Sequence, residues 1–346
     1  MKAVLYYGPE NIKYEETMIK PLEHGEILVK VDSALTCGTD VKTYRRGHPV
    51  LIKKIPSGFG HEFAGTVEKV AEGVTNLKVG DRVVAANSAP CGKCFYCKRE
   101  EYNLCENLDL LNGAYAQYIV IPARIVAKNT LILPDNLSFE KAAFCEPLAN
   151  VVHGAERTEI KPGQTVGIIG IGPIGLMFAR IAKLKGAKVI VGGRNPIKLR
   201  LAEEFAHADE IVNLTRYQNP EKIFKSFSEE NRGLDVVVEC VGLPEIWERA
   251  FSCVRPGGTV HFFGGCKSGS TVTFDTTKMH YGDIKLMSVF HHTPKYFREA
   301  LDMIASGKLE VEKLITDTLP LDKVEYAMEQ HIAGNAIKFL IKPWMK

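Results

Sequence analysis

The fold is decided by the stretch TVGIIGIGPIG at Thr165–Gly175. Its apolar start, Thr165–Ile169, predicts a buried strand, and the residues from Ile174 to Lys185 predict a helix. Glycines between a strand and a helix are typical of dinucleotide-binding turns, because they allow a tight turn, close approach of the pyrophosphate and close packing of helix on strand. The helix N-terminus also presents free N–H groups to the phosphates. We therefore expect a dinucleotide at Gly170, Gly172, Pro173, Ile174 and Gly175, the alternative being a glycine-rich turn without a ligand.

Strands and helices alternate for more than a hundred residues around this motif, which predicts a parallel, doubly wound sheet. A helix is predicted over Pro196–Phe205, with Asn195 as its cap and proline at its first position. Further strands are predicted at Val189–Val191, Ile211–Asn213, Leu234–Glu239 and Thr259–Phe263. The dinucleotide-binding domain is therefore expected at residues 148–284.

The first third of the chain has a different pattern, with short alternating runs broken by Gly, Pro and Asp. These runs predict strands of a Greek-key or barrel-like β unit. They are Ile27–Val31, Gly65–Val70, Asp81–Ala85 and Tyr118–Ile121. Near the end of the chain, a helix at Pro294–Ser306 and a strand at Ile337–Ile341 are expected to return to the same unit. The second domain is thus predicted to be discontinuous, at residues 1–147 and 285–346.

Composition excludes several partners. The 346 residues carry a formal net charge of +3 without a long run of like charges, which gives no reason to expect nucleic acid. Met1–Tyr14 predicts a strand and a turn rather than a signal peptide. The longest apolar stretch, Val166–Ala179, is too short for a bilayer and contains Gly and Pro. We therefore expect a cytoplasmic protein with no membrane partner.

The residues after the next strand bear on which dinucleotide binds. An acidic side chain is expected there when the ribose 2′-hydroxyl is held, but the chain reads Gly192-Gly193-Arg194-Asn195. Gly193 leaves room, and Arg194 can stack on adenine and bind a 2′-phosphate, with Lys198 one helical turn further on. We therefore expect NADP rather than NAD. The alternative is an exposed arginine beside a helix cap.

Four of the nine cysteines crowd into one loop: Cys91, Cys94, Cys97 and Cys105. In a reducing compartment such a cluster indicates a metal rather than disulfides. Four thiolates suit tetrahedral zinc and leave no open position for a substrate, so we expect a structural zinc ion. An iron–sulfur cluster is the chemical alternative, because it takes the same ligands.

A mixed ligand set is spread over three other segments. It comprises Cys37, the pair His61 and Glu62, and Glu146. A cysteine, a histidine and a carboxylate with one vacant position are typical of catalytic zinc. Each residue alone is a weak indication, since a single cysteine is usually a small buried apolar side chain. Their occurrence beside a dinucleotide motif favours a zinc-dependent hydride transfer.

The combined motifs resemble those of zinc-containing medium-chain dehydrogenases, most closely the sorbitol (polyol) and threonine dehydrogenase branch. The resemblance rests on Cys37–Asp40, Gly60–Glu62, Glu146–Leu148, the four-cysteine loop and the glycine motif. It implies a GroES-like catalytic domain joined to a Rossmann domain, with the active site in the cleft between them. It also implies two zinc ions per subunit and a homo-oligomer, a dimer or a tetramer.

The resemblance also implies a role for each matching residue. Cys37 and His61 correspond to zinc ligands, and Glu62 and Glu146 to acidic positions that bind zinc directly or through water. Thr39 corresponds to the hydroxyl that passes the alcohol proton outward before hydride reaches the nicotinamide. Cys145 is an alternative to Glu146 as the zinc ligand from this region, and the Glu146–Leu148 match favours Glu146. The four-cysteine loop corresponds to the structural zinc site, and Val241 and Phe263 are further expected cofactor contacts.

Two departures leave the substrate open. Related enzymes often carry histidine five residues after the zinc cysteine, where this chain has Lys42, and sorbitol dehydrogenases carry arginine where it reads Phe290-His291-His292. We expect oxidation of a secondary alcohol or polyol, with threonine-like amino alcohols or simple secondary alcohols as the nearest alternatives. A non-catalytic binding protein and a zinc-free quinone reductase are disfavoured by the intact ligand set.

Overall fold

The computed structural model describes every residue from Met1 to Lys346. The chain divides into two compact units. The first unit contains Met1–Ala149 and His292–Lys346, and the second contains Asn150–His291. None of the helices combines the length and the apolar character that a membrane crossing requires.

The chain forms eighteen strands. In chain order they are β1 (Lys2–Gly8), β2 (Asn11–Glu16), β3 (Ile27–Leu35), β4 (Ser57–Gly58), β5 (Glu62–Val70), β6 (Arg82–Ala85), β7 (Ser88–Ala89), β8 (Asp109–Leu110), β9 (Tyr118–Ile121), β10 (Thr130–Ile132), β11 (Thr165–Ile169), β12 (Lys188–Gly193), β13 (Glu210–Asn213), β14 (Leu234–Glu239), β15 (Val254–Phe262), β16 (Lys285–Met287), β17 (Ile315–Leu319) and β18 (Lys338–Ile341). The strands predicted from alternation in the first third are all present, as parts of β3, β5, β6 and β9.

The chain also forms eleven α-helices. They are α1 (Gly38–Arg46), α2 (Ala123–Asn129), α3 (Phe139–Ala142), α4 (Cys145–Arg157), α5 (Pro173–Leu184), α6 (Pro196–Glu204), α7 (Pro220–Ser226), α8 (Pro244–Cys253), α9 (Thr276–Tyr281), α10 (Pro294–Ala305) and α11 (Val324–Ile332). The predicted helices at Ile174–Lys185, Pro196–Phe205 and Pro294–Ser306 correspond to α5, α6 and α10.

The main sheet of the first unit joins the start of the chain to its end. Its strand order is β10-β6-β5-β3-β18-β17, and β9 also pairs with β3. Strand β3 pairs antiparallel with β5, with Leu35 opposite Glu62, and with β18, with Leu35 opposite Leu340. Three strands from distant parts of the sequence therefore meet around Leu35, two residues before Cys37.

The second unit contains one six-stranded sheet in which every neighbouring pair is parallel. Its order is β13-β12-β11-β14-β15-β16. Val166, Ile168 and Val236 are buried, as expected for strands covered by helices on both faces. The strand order reverses at β11, which makes its carboxyl end the expected ligand site of a doubly wound sheet. The predicted doubly wound α/β fold is confirmed.

Candidate metal centres and dinucleotide site

The turn after β3 carries the first candidate ligand. Cys37 caps α1, its Sγ accepting a hydrogen bond from the Thr39 backbone N–H at 3.5 Å. In return the Asp40 carboxylate accepts the Cys37 N–H at 3.0 Å. This reciprocal arrangement is a capping box, and it fixes the Cys37 side chain at the start of the helix.

The start of β5 brings two more candidate ligands to the same place, His61 just before the strand and Glu62 as its first residue. Cys37 Sγ, an imidazole nitrogen of His61 and a carboxylate oxygen of Glu62 all lie within 4.8 Å of one another. The register that sets Leu35 opposite Glu62 explains this convergence, since each ligand stands at one end of a paired strand. His61 and Glu62 are buried, and Cys37 is half-buried.

Asp40 supports His61 from behind. The His61 Nδ1 atom lies 3.0 Å from Asp40 Oδ1, and the Tyr115 hydroxyl donates to Asp40 Oδ2 at 2.5 Å. Burial by itself would lower the pKa of His61, but the charges of Asp40 and Cys37 raise that pKa well above its usual value. The environment therefore attracts positive charge. A carboxylate behind the imidazole of a metal ligand is a common supporting contact.

The donor set at this cluster fits zinc. Burial, together with the Glu62 carboxylate, raises the pKa of the Cys37 thiol, so a thiolate here needs a nearby cation. The Glu62 Oε1 atom is buried without a hydrogen-bond partner. A thiolate, an imidazole and a carboxylate are the ligands that Zn²⁺ takes in proteins.

Lys338 is a residue of this cluster that the sequence analysis did not identify. Its side chain is 1% exposed, and its ammonium group forms an ion pair with Glu62 Oε2 and donates to the Thr36 carbonyl at 2.8 Å. A buried lysine is rare unless it is paired. The available signal was a single charge within the otherwise apolar run AIKFLI at residues 336–341.

Glu146 is not a member of the group formed by the other three predicted ligands. It lies in the first turn of α4 and is 5% exposed, and its Oε1 atom is 3.7 Å from His292 Nε2. Its charge is among those that raise the pKa of Lys338 against the effect of burial, after the charges of Glu62 and Cys37. The neighbouring Cys145 thiol is buried and donates to the Phe297 carbonyl at 3.2 Å.

The structure also locates Thr39 and the residues at which the sequence departs from related enzymes. Thr39 is half-buried and Lys42 is exposed, both on α1. His291 has a left-handed backbone with φ of 61°, and its carbonyl accepts a hydrogen bond from His153 Nδ1 at 2.7 Å. Phe290 is 65% exposed.

The four-cysteine loop forms a compact lobe in the first unit. The four Sγ atoms lie within 4.8 Å of one another, and two pairs, Cys91–Cys97 and Cys94–Cys105, are separated by 3.9 Å. This matches the edge of a tetrahedron around one ion with Zn–S bonds of about 2.3 Å, for which the edge is about 3.8 Å. A hydrogen bond from the Lys93 backbone lowers the pKa of Cys91 to about 6, which favours its thiolate.

The glycine motif of the second unit has the geometry of a phosphate-binding turn. Gly170 has φ of +109°, which strains any other residue, and a Cβ on Gly175 would lie 1.9 Å from the Gly170 carbonyl oxygen. A Cβ on Gly172, by contrast, would meet nothing within 4 Å, so open space lies over the backbone at the start of α5. The turn therefore leaves a cradle that fits a pyrophosphate.

The residues from the end of β12 onward, Gly193 to Lys198, only partly match their expected roles. A Cβ on Gly193 would lie 2.2 Å from Ile171, so the space beside this glycine holds a side chain of the glycine motif rather than room for a ligand. Arg194 is exposed and Lys198 half-buried, and burial lowers the pKa of Lys198. Asn195 caps α6 as predicted, accepting from Ile197 N–H at 2.9 Å and Lys198 N–H at 3.2 Å.

Val241 and Phe263 follow β14 and β15. Val241 is 42% exposed, and its side chain packs over Gly170, where an added Cβ would lie 2.8 Å from it. Its backbone N–H donates to the buried Glu239 carboxylate at 2.6 Å. Phe263 is half-buried and stacks edge-on against Phe178, with 5.0 Å between ring centroids.

Comparison with known proteins agrees with these sites. Residues 23–135 match the family described as alcohol dehydrogenase GroES-like domain, and residues 173–306 match the family described as zinc-binding dehydrogenase. The sorbitol dehydrogenase of Bacillus subtilis (strain 168) is 32% identical, with 99% of this chain and 97% of that protein covered. D-arabinitol dehydrogenase 1 of Uromyces fabae is 31% identical, with the same coverage.

A solved structure is similar over the whole chain. It is a protein of Sinorhizobium meliloti 1021, described as a zinc-binding dehydrogenase bound to NADP, with a TM-score of 0.91, 31% identity and 99% of both chains covered. Fold and family together define a zinc-binding alcohol dehydrogenase with a GroES-like domain and a Rossmann domain. The chain belongs to the polyol dehydrogenase branch of the zinc-containing medium-chain dehydrogenases. Zinc and a nicotinamide cofactor therefore belong to its chemistry.

Proposed function

We propose that this chain is a zinc-dependent dehydrogenase that transfers a hydride between a secondary alcohol of a polyol and NADP. The observation that carries the proposal is the convergence of Cys37, His61 and Glu62 within 4.8 Å, in a chain that also holds an open glycine turn. The relatives named as sorbitol and D-arabinitol dehydrogenases support a polyol as the substrate.

Two zinc ions per subunit are part of this proposal. Cys37, His61 and Glu62 hold the catalytic ion, with Glu146 as a further acidic ligand that binds directly or through water. Cys91, Cys94, Cys97 and Cys105 hold the structural ion and leave no position for a substrate. The catalytic zinc domain comprises residues 1–147 and 285–346, and the dinucleotide-binding domain comprises residues 148–284.

Each component of the proposed site has a separate role in the reaction. Bound zinc supplies a Lewis acid that lowers the pKa of an alcohol, and the nicotinamide ring exchanges hydride with the substrate carbon. The Thr39 hydroxyl, half-buried beside Cys37, takes the alcohol proton and passes it outward. Asp40 holds the His61 ring in place, and Tyr115 holds Asp40.

NADP is favoured by two cations at the end of β12. Exposed Arg194 offers a planar fork of donors that suits a phosphate. The pKa of half-buried Lys198 is lowered by burial, and an anion beside its ammonium group would offset that cost. Gly170, Gly172, Pro173, Ile174 and Gly175 hold the pyrophosphate, and the cofactor lies near the backbone of Gly193 and the side chains of Val241 and Phe263.

A homo-oligomer, a dimer or a tetramer, completes the proposal. β16 is an edge strand of the six-stranded sheet, and nearby Tyr281 and Phe290 are 82% and 65% exposed. An open strand edge with exposed aromatic side chains is typical of a protein interface. Light scattering of the purified protein measures the assembly, and a monomer would contradict this part of the proposal.

The experiment that tests the function joins metal analysis to a hydride-transfer assay. The absorbance of reduced nicotinamide is followed with NADP and NAD separately, across polyols, threonine and simple secondary alcohols. We expect two zinc ions per chain and the fastest reduction of NADP with a polyol. A zinc-loaded protein that turns over no alcohol would contradict the proposal, as would a preparation that binds no zinc.

A further inference from the structure

We propose that Lys338 is a positioning residue of the catalytic zinc site, which ties the two ligand-bearing segments together through Glu62 and the Thr36 carbonyl. The inference rests on the proposed zinc site and adds a residue to it. Lys338 comes from the last strand of the chain, 276 residues after Glu62.

The first part of the argument is the pair of contacts that Lys338 makes. Its ammonium group binds Glu62 Oε2 on one side and donates to the Thr36 carbonyl, at 2.8 Å, on the other. Thr36 directly precedes Cys37, and Glu62 directly follows His61. A single ammonium group therefore bridges the segment that carries the thiolate and the segment that carries the imidazole.

The second part is the asymmetry of the Glu62 carboxylate. Oε2 is taken by Lys338, whereas Oε1 is buried without a hydrogen-bond partner. A buried polar atom without a partner is costly, and its presence beside Cys37 and His61 indicates a place for a cation. By holding Oε2, Lys338 fixes the rotamer that keeps Oε1 available.

The third part is how strongly the structure holds Lys338 itself. The backbone N–H of Phe339 donates to Thr36 Oγ1 at 2.8 Å, and the Thr36 N–H donates to the Phe339 carbonyl at 3.1 Å. His331 Nε2 lies 2.6 Å from the same Thr36 hydroxyl. Two contacts thus join Thr36, just after β3, to the start of β18, and His331 of α11 adds a third contact to Thr36, so the position of the lysine is well defined.

Charge gives a reason for a lysine rather than an apolar residue. Glu62 is 0% exposed, and removing the partner of a buried ion pair is strongly destabilising, because it leaves an uncompensated charge. Before the metal binds, Lys338 supplies the compensating charge. It can therefore hold the site in a form that is ready to receive zinc.

The test compares zinc affinity in four proteins: wild type, Lys338→Met, Glu62→Gln and the double variant. Affinity is measured by competition with a chromophoric chelator, and the geometry of the site by the visible ligand-field spectrum of the Co²⁺-substituted protein. We expect Lys338→Met to bind the catalytic zinc about 10–100-fold more weakly and to shift the Co²⁺ spectrum, as is typical when a supporting partner of a metal ligand is lost. The four-cysteine zinc should stay bound and serves as an internal control.

The double variant separates positioning from a general role in folding. If Lys338 acts through Glu62, its loss in the Glu62→Gln background should change zinc affinity little, because interacting sites are not additive. The double variant buries no unpaired carboxylate, so it also provides the comparison if Lys338→Met alone does not fold. A further loss equal to that of the single Lys338→Met variant would overturn the proposal.

Lys342→Met is the matched control. Lys342 stands just after the same strand and pairs with Asp32 at 2.8 Å and with Glu140, but it is more exposed and contacts no proposed ligand. It should bind both zinc ions as the wild type does. If Lys338→Met bound the catalytic zinc as tightly as the wild type or more tightly, the positioning role of Lys338 would be overturned, but the proposed zinc site would not. A wild type that holds zinc only in the four-cysteine lobe would instead overturn the proposed catalytic site.

Discussion

Asp40 Oδ1 lies 3.0 Å from His61 Nδ1, and the two side chains are only 3% and 5% exposed. This contact occupies one ring nitrogen and leaves Nε2 as the nitrogen that can bind a metal. Carboxylates in this position fix the tautomer and orientation of a ligating histidine. The same carboxylate also accepts hydrogen bonds from the Cys37 backbone N–H at the start of α1 and from the Tyr115 hydroxyl. One side chain therefore holds the helix start, the candidate ligand His61 and the buried Tyr115 together.

We therefore expect Asp40→Asn to weaken the affinity for the catalytic zinc by about 10–100-fold. Losses of this size are typical when the supporting carboxylate of a metal-binding histidine is replaced. The amide keeps the shape but loses the charge that favours the orientation of His61. When turnover is measured against free zinc concentration, the weaker affinity should appear as a higher zinc concentration at half-maximal turnover. Asp32→Asn, a surface change in the same unit, is the control, and equal zinc dependence in the two variants would contradict the role of Asp40.

Two glycines of the same motif should respond in opposite ways to alanine. In Gly175→Ala the new Cβ would lie 1.9 Å from a backbone oxygen, so we expect a loss of about 3 kcal/mol or more in the free energy of unfolding. In Gly172→Ala the Cβ meets nothing, so the fold should be kept while dinucleotide binding weakens about tenfold. Urea unfolding and cofactor titration measure the two effects, and a swapped or equal pattern would count against the proposed cradle.

Replacement of Arg194 should change the choice of cofactor. A hydrogen bond to a charged group is worth about 1.5–3 kcal/mol, so Arg194→Leu should lower the ratio of kcat/KM for NADP over NAD by about 10–100-fold. Arg200→Leu removes another exposed arginine, on the adjoining helix α6, and should leave the ratio unchanged. An unaltered ratio in Arg194→Leu would show that the 2′-phosphate is bound elsewhere. Gly193 is unsuitable for this test because Ile171 fills the space beside it.

The second unit should lose stability in mild acid because of His261. Burial, helped by the charges of His153 and Arg157, lowers the pKa of this fully buried histidine to about 4, whereas an unfolded histidine titrates near 6.5. As pH falls from about 6.5 to about 4, the unfolded chain gains a proton that the folded chain excludes. The free energy of unfolding should then fall by about 3 kcal/mol, and this contribution is absent above about pH 6.5.

The measurement uses Trp247, which stacks on Phe262 in the second unit. With Trp344→Phe as background, its fluorescence reports urea unfolding of that unit at a series of pH values. His261→Asn keeps a polar contact for Thr158 and should flatten the pH dependence. The exposed His207→Asn is the matched control, and equally steep curves for both variants would rule out His261 as the cause.

The sequence predicted those parts of the fold that have a strong local signal. β11 is a continuous apolar run, and α6 begins with an Asn-Pro cap, so both were located within about a residue. The helices α1 and α4 were missed. α1 has a polar sequence without an apolar stripe and depends on the reciprocal cap between Cys37 and Asp40. α4 begins at Cys145, and the early Pro147 hides a helix that tolerates proline in its first turn.

The sequence identified the candidate metal ligands but not the side chains that support them. Spacing alone indicated the four-cysteine lobe, because its members are close in sequence. The partners Asp40 and Lys338 act through tertiary contacts, and the pairing of Lys338 with Glu62 spans 276 residues. The interpretation of Gly193 as empty space failed for the same reason, since the side chain that fills it, Ile171, belongs to another turn.

The return of the chain to its first unit has a consequence for biosynthesis. Cys37, His61 and Glu62 are translated early, but Lys338 leaves the ribosome only after the whole second unit has been made. At roughly 5–20 residues per second, this interval lasts tens of seconds. During that time the thiol and the carboxylate lack the strand that bridges their segments. The catalytic metal is therefore expected to enter a finished chain, so cells short of zinc should accumulate a folded, metal-free enzyme that can be activated later.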